Sequence, residues 1–138
     1  MNNKVLVFPL EKKYKRHAAY AQKTADACFL VLGKESVRIE IYIIGNKRMQ
    51  ELNKKFRKKD RQTNVLSFKE PENIPSPEAE KMLGEIYLAP DYIQKEGGDI
   101  GHLTIHGILH LLGYTHEGLR DKIKMEKKEK SVLKKIQD

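Results

Sequence analysis

The sequence contains no tryptophan and one cysteine, Cys28. A disulfide framework is therefore excluded, and a reducing compartment is expected. Cys28 falls among apolar helical positions and reads as a packing residue. No stretch approaches the ~20 apolar residues that a membrane span needs. The apolar run within Met1 to Leu10 is too short for a signal peptide. A cytoplasmic protein without a membrane partner is expected. Acidic residues are in deficit: 19 Asp and Glu stand against 27 Lys and Arg, a formal charge of +8. The pI is about 9.5. That balance points to a polyanion, nucleic acid before an acidic membrane face, with plain solubility as the simpler reading. Without tryptophan, a core must come from aliphatics and the few Phe and Tyr. With 138 residues, 39% hydrophobic and 33% charged, one folded domain is expected and a disordered tail is not.

There is no internal repeat and no long linker. Lys4 to Phe8 reads as a strand stopped by Pro9. From Tyr14 to Leu32, apolar residues including Ala18, Ala21, Ala25, Cys28 and Phe29 recur at helical spacing, and Gly33 sits at the C-cap. Val37 to Ile44 alternates and is β-branched, which predicts a strand. Gly45-Asn46 turns the chain, with Asn46 as N-cap of a short helix carrying Met49, Leu52, Asn53 and Phe56. Arg57 to Gln62 is a charged connector, Thr63 to Phe68 a strand, and Pro71 to Pro77 a surface loop. Leu83 to Leu88 is a further strand, and Pro90-Asp91 starts a brief helical turn. Gly97-Gly98 breaks that turn, and Asp99 caps a helix running to about Leu112. A Lys-rich helix closes the chain, its apolar stripe being Leu119, Ile123, Met125, Val132, Leu133 and Ile136. The expected fold is α+β: a small mixed four-stranded sheet packed with helices, and a metal-binding helix near the C-terminus.

That last assignment rests on His106-Gly107-Ile108-Leu109-His110, followed by Gly113 and His116. Histidines four apart on a helix project from one face and can grip one ion. Gly113 turns the chain back so that His116 completes a triad. Three imidazoles leave a fourth position open, the mark of a catalytic site; a structural site usually recruits a fourth ligand, often cysteine. Three imidazoles suit zinc, though nickel or another divalent metal also fits. His102 lies two turns from His110, about 12 Å, and so is a packing or supporting residue instead of a ligand. The spacing matches that of the long zinc-protease motif H-E-x-x-H-x-x-G-x-x-H. Gly107 replaces the glutamate that serves there as general base, which excludes that route to peptide hydrolysis.

Three stretches together resemble the YbeY endoribonuclease family of bacterial rRNA maturation factors. They are the histidine segment, which follows the family's H-G-x-L-H-L-x-G-Y-D-H; Leu52 to Asp60 with Thr63 to Phe68; and Leu83-Gly84-Glu85-Ile86. The resemblance covers nearly the whole chain. It implies a single-domain, metal-dependent, single-strand-specific endoribonuclease. It also implies a role in maturing the 3′ end of 16S rRNA and in ribosome quality control, with single-stranded rRNA and the ribosome or its small subunit as partners. Departures from the pattern are Thr115 and Asn64 in place of Asp, and Glu85 where Asp is favoured. If the missing carboxylate at Thr115 orients a ligand, metal affinity falls by ~10–100-fold.

Within the resemblance, Arg57 matches the family's arginine in Y-R-x-x-D. A guanidinium suits the charge that develops on a phosphodiester under attack, so Arg57 is the expected clamp on the scissile phosphate. Lys54, Lys55, Lys58, Lys59 and Arg61 surround it and form a candidate groove for RNA backbone, although each alone also reads as a solvated charge. The C-terminal lysines read as a solvated helix face. Glu85 is a candidate hydrogen-bond partner for a ligand histidine, with Ser67 and Asn64 behind it. The competing reading is a ribosome-associated RNA-binding factor whose metal is structural. A hydrolase of small molecules or peptides ranks third, disfavoured by Gly107 and the basic charge.

Overall fold

A computed structural model describes residues 2–71 and 80–137. The alternation in Val37 to Ile44 is realised as strand β2, Val37–Ile43, whose odd-numbered residues are buried and even-numbered ones are not. Its neighbours are β1, Lys4–Pro9, and β4, Lys81–Leu88, both parallel to it. Strand β3, Val65–Lys69, runs antiparallel along the far side of β4, giving the order β1-β2-β4-β3. The sheet is thus mixed and four-stranded, with β1 and β3 as its edges. The proposed proline loop lies, apart from Pro71, outside the described residues.

Helix α1, Lys15–Val31, follows a single 3-10 turn and packs on β1 and β2. Its apolar spacing buries Ala18, Ala21, Ala25, Cys28 and Phe29. The small residues let the helix sit close to the sheet. Helix α2, Asn46–Arg57, lies at the other face. There Met49 joins Ile44, Leu66 and Ala89 in a small second core. The helix starts one residue earlier than expected: Gly45, in extended conformation, is the cap, and Asn46 is the first helical residue. After α3, Pro90–Lys95, helix α4, Ile100–Leu111, packs on β3 and β4 with α1 alongside it. Ile105, Ile108 and Leu109 on it are fully buried. Each such side chain contributes about 1.5–3 kcal/mol over an exposed one. Helix α5, Leu119–Gln137, closes the chain against α1 and α4. Of its expected stripe, Met125 and Val132 are buried, but Leu119 is 76% exposed and Ile123 is 44% exposed. The first turn of α5 projects past the end of its packing surface.

The lone thiol behaves as its position requires. Cys28 is fully buried, and burial pushes its pKa up to about 12. In the folded protein it should therefore react with a thiol probe at least ~10³-fold more slowly than a free cysteine, because the thiolate is the nucleophile. Denaturant should restore one full equivalent of labelling. Fast labelling of the native protein would contradict the packing of α1.

Candidate metal centre and groove

Asp99 ends the Gly97-Gly98 break and caps α4, its carboxylate accepting from the His102 amide at 3.0 Å. With the start of the helix set, residues 102, 106 and 110 fall on one row. At the other end the Gly113 and Tyr114 amides return to the His110 and Leu109 carbonyls, each at 3.0 Å. Gly113 takes a φ of +105°, which reverses the chain and brings His116 back over the row.

The three imidazoles converge. Their ring centroids are 4.7 Å apart for His106–His110, 4.8 Å for His110–His116 and 5.7 Å for His106–His116. One ring nitrogen from each lies within 4.8 Å of the other two. Nε2 of His106 and Nε2 of His110 are 3.1 Å apart. Two nitrogens bound tetrahedrally at zinc distances are separated by about 3.3 Å, so the pair needs almost no adjustment to share an ion. Burial, then the neighbouring His106 and His116, lowers the His110 pKa to about 4. Its imidazole is therefore neutral and has a lone pair to give at physiological pH.

Behind the triad stands a residue that the sequence reading did not select. Glu129 of α5 is buried, with Oε1 at 2.8 Å from Nδ1 of His106 and Oε2 at 2.6 Å from Nε2 of His102. Burial works to raise its pKa, but the hydrogen bonds from His106 and His102 outweigh that and hold it below the usual carboxylate range. A signal for it did exist. The apolar stripe of α5 skips two turns between Met125 and Val132, and Glu129 occupies the gap on the buried face.

The expected supporting carboxylate, Glu85, is elsewhere. It projects from the opposite face of the sheet, where the Tyr87 hydroxyl donates to it at 3.1 Å, beside Glu40 and Tyr42. Thr115 stands next to His116, and its hydroxyl donates to Asp121 at 3.2 Å. A carboxylate thus reaches this corner from α5, although position 115 lacks one.

The histidines sit at one wall of a groove of about 810 Å³. Edge strand β3 and the connector after α2 form the other wall, bringing Arg57, Lys59, Arg61, Asn64 and Ser67 to the same space. Buried Asn53 fixes that connector by donating to the Arg61 carbonyl at 3.0 Å. Arg57 is held twice. It donates from Nη2 to the Ser67 carbonyl at 2.7 Å, and its guanidinium lies 4.9 Å from the centre of the Phe68 ring. Lys54, Lys55 and Lys58 are exposed on α2 and its C-terminal end, outside the groove lining. Lys54 approaches Asp60 at 3.9 Å, and Lys55 lies over the Phe56 ring.

A concave, basic space with three converging imidazoles at one wall can hold a divalent cation beside a bound polyanion. The family profile described as Endoribonuclease YbeY matches residues 8–137. An Endoribonuclease YbeY from Aquifex aeolicus is 34% identical over 143 residues, covering 97% of this chain and 92% of the relative. One from Francisella philomiragia is 36% identical over 114 residues, covering 72% of each chain. The solution structure of a Thermotoga maritima protein aligns with a TM-score of 0.58 at 25% identity, covering 96% of this chain and 88% of that one. Among the described residues, no helix is long and apolar enough to cross a membrane.

Proposed function

The chain belongs to the YbeY endoribonuclease family, and from that premise we propose that it cleaves single-stranded ribosomal RNA in the cytoplasm. Its work there is to mature the 3′ end of 16S rRNA and to take part in ribosome quality control, bound to the small subunit. The observation that carries the cleavage reading is the convergence of His106, His110 and His116 on the wall of a groove that also presents Arg57, Lys59 and Arg61. We assign zinc to the triad, since three imidazole ligands suit it. When bound, the ion supplies Lewis-acid polarisation of a phosphoryl oxygen, at full charge because its ligands are neutral. The chain's own residues do the rest. Arg57, steadied by Ser67 and Phe68, offers its remaining N–H groups to the non-bridging oxygens of the scissile phosphate. Lys59 and Arg61 hold the flanking backbone. Gly107 offers no side chain for proton transfer, consistent with a phosphate substrate instead of a peptide.

The test uses purified protein with single-stranded and duplexed rRNA fragments, with and without chelator, and elemental analysis of the same preparation. Metal-dependent cleavage confined to the single strand is expected. Tight RNA binding without metal-dependent cleavage would select the RNA-binding factor instead. Arg57→Lys keeps the charge but loses the planar fork and the stacking on Phe68. It should lower kcat/KM by roughly 10-fold or more with metal content unchanged. Undiminished cleavage by that variant would remove Arg57 from the phosphate.

A further inference from the structure

We propose that Glu129 is the positioning residue of the metal centre, fixing His106 as a ligand, and that His102 is the outer arm that holds Glu129 in place. The inference rests on the reading of the histidine triad as a metal site.

The geometry assigns the roles. His106 has two ring nitrogens, and Nε2 is the one that faces His110 at 3.1 Å. Its Nδ1 faces the opposite way, onto Glu129 Oε1 at 2.8 Å. A carboxylate only accepts, so Nδ1 must carry the proton and Nε2 must present its lone pair toward the triad. The same contact fixes the rotation of the ring. Glu129 cannot drift from this contact, because its second oxygen is engaged by His102 Nε2 at 2.6 Å. His102 in turn is anchored through its own amide to the capping Asp99. The row 102-106-110 is therefore divided: His106 and His110 serve the ion, His102 and His106 serve the carboxylate, and His106 belongs to both sets.

Placement on α5 gives this arrangement its rigidity. Met125 and Val132, one turn to either side of Glu129, are each 1% exposed. They seat the carboxylate from outside α4, so it does not move with the histidines that it orients. A buried carboxylate that merely joined two helices would need one partner, yet Glu129 spends both oxygens on the histidine row.

The test is metal affinity, measured on the full chain by cobalt titration against a competing chelator, with the cobalt absorption spectrum as a second readout. Glu129→Gln is close to isosteric but removes the charge and one of the two acceptor oxygens. It should weaken cobalt binding by ~10–100-fold and alter the cobalt spectrum, while the metal-free melting temperature moves little. His102→Ala, which leaves all three ligands and Glu129 in place, should weaken binding by a smaller factor in the same direction. Glu129→Asp, too short to span both histidines, should resemble Glu129→Gln. If Glu129→Gln binds cobalt within twofold of the parent, with an unchanged spectrum and only a lower melting temperature, Glu129 is a helix tether and the proposal is overturned. A parent protein that takes up no cobalt gives a different failure. It removes the metal centre itself, and the positioning role with it.

Discussion

His110→Ala should strip the protein of its metal and reduce RNA cleavage by roughly 10³-fold or more, the scale on which loss of a main electrostatic element acts. His110 is the central ligand. Its ring lies within 4.8 Å of both other rings, centre to centre, whereas those two are 5.7 Å apart. Without it, His106 and His116 are left as a wide pair, and two imidazoles at that separation make a weak site. The metal-free fold should not suffer to match. Packing in α4 comes from Ile105, Ile108 and Leu109. The alanine also relieves the close approach of two ring nitrogens at 3.1 Å. Elemental analysis, single-turnover cleavage and thermal melting of one preparation separate these effects. A variant that kept a full equivalent of metal would show that the triad is not the site.

The second large effect concerns the residue beside the first ligand. Gly107→Glu would recreate the zinc-protease pattern in sequence, and it should instead prevent stable folding. Gly107 is buried where α4 crosses the sheet. A Cβ at that point would lie 3.0 and 3.1 Å from the Ile86 methyl groups and 3.2 Å from the Ser67 hydroxyl. Even alanine must displace Ile86 by a few tenths of an ångström, and Gly107→Ala should cost about 1–3 kcal/mol. Glutamate adds four further heavy atoms and a charge with no room for solvent, a penalty of several kcal/mol against a typical total of about 5–15 kcal/mol. Chemical denaturation measures the alanine variant, and soluble yield with circular dichroism measures the glutamate one. A well-folded Gly107→Glu would mean that α4 can move off β3 and β4.

The glycine thus carries two meanings, of which composition and spacing reveal one. The sequence shows that no base stands at 107. It does not show that helix and sheet approach so closely there that even a Cβ is crowded. Elsewhere the same division holds. The period-2 burial of Val37 to Ile43 and the small-residue face of α1 could be read directly, because each follows from a single element's own geometry. So could the triad, since a helix and a glycine turn link its members. The face that Glu85 takes is not legible, for a local reason. The pairing of β2 with β4 shifts between Arg38 and Ile39, so Leu83 and Ile86, three apart, are both buried and the alternation is broken. Glu129 depends on how α5 docks against α4, which is not encoded within either helix. The gap in its apolar stripe marked the position but not the partner. The Asp121 contact to Thr115 is of the same kind, a carboxylate delivered across a turn instead of along the chain.

Gly84 shows how firmly the groove's outer wall is seated. Its φ is +150°, and a Cβ there would fall 2.2 Å from the Phe68 carbonyl oxygen. β3 is therefore clamped on β4 at the very residues that carry Arg57.

That wall has one more property. β3 ends the sheet, so its outer rim of amides and carbonyls would ordinarily be open to a strand from another molecule. The Arg57 guanidinium occupies the Ser67 carbonyl on that rim and lies across the Phe68 ring. A bulky cation thus stands where an intruding strand would have to begin its ladder. The side chain proposed to grip the substrate also keeps copies of the protein from zipping together edge to edge, and its removal should show first as loss of solubility on storage.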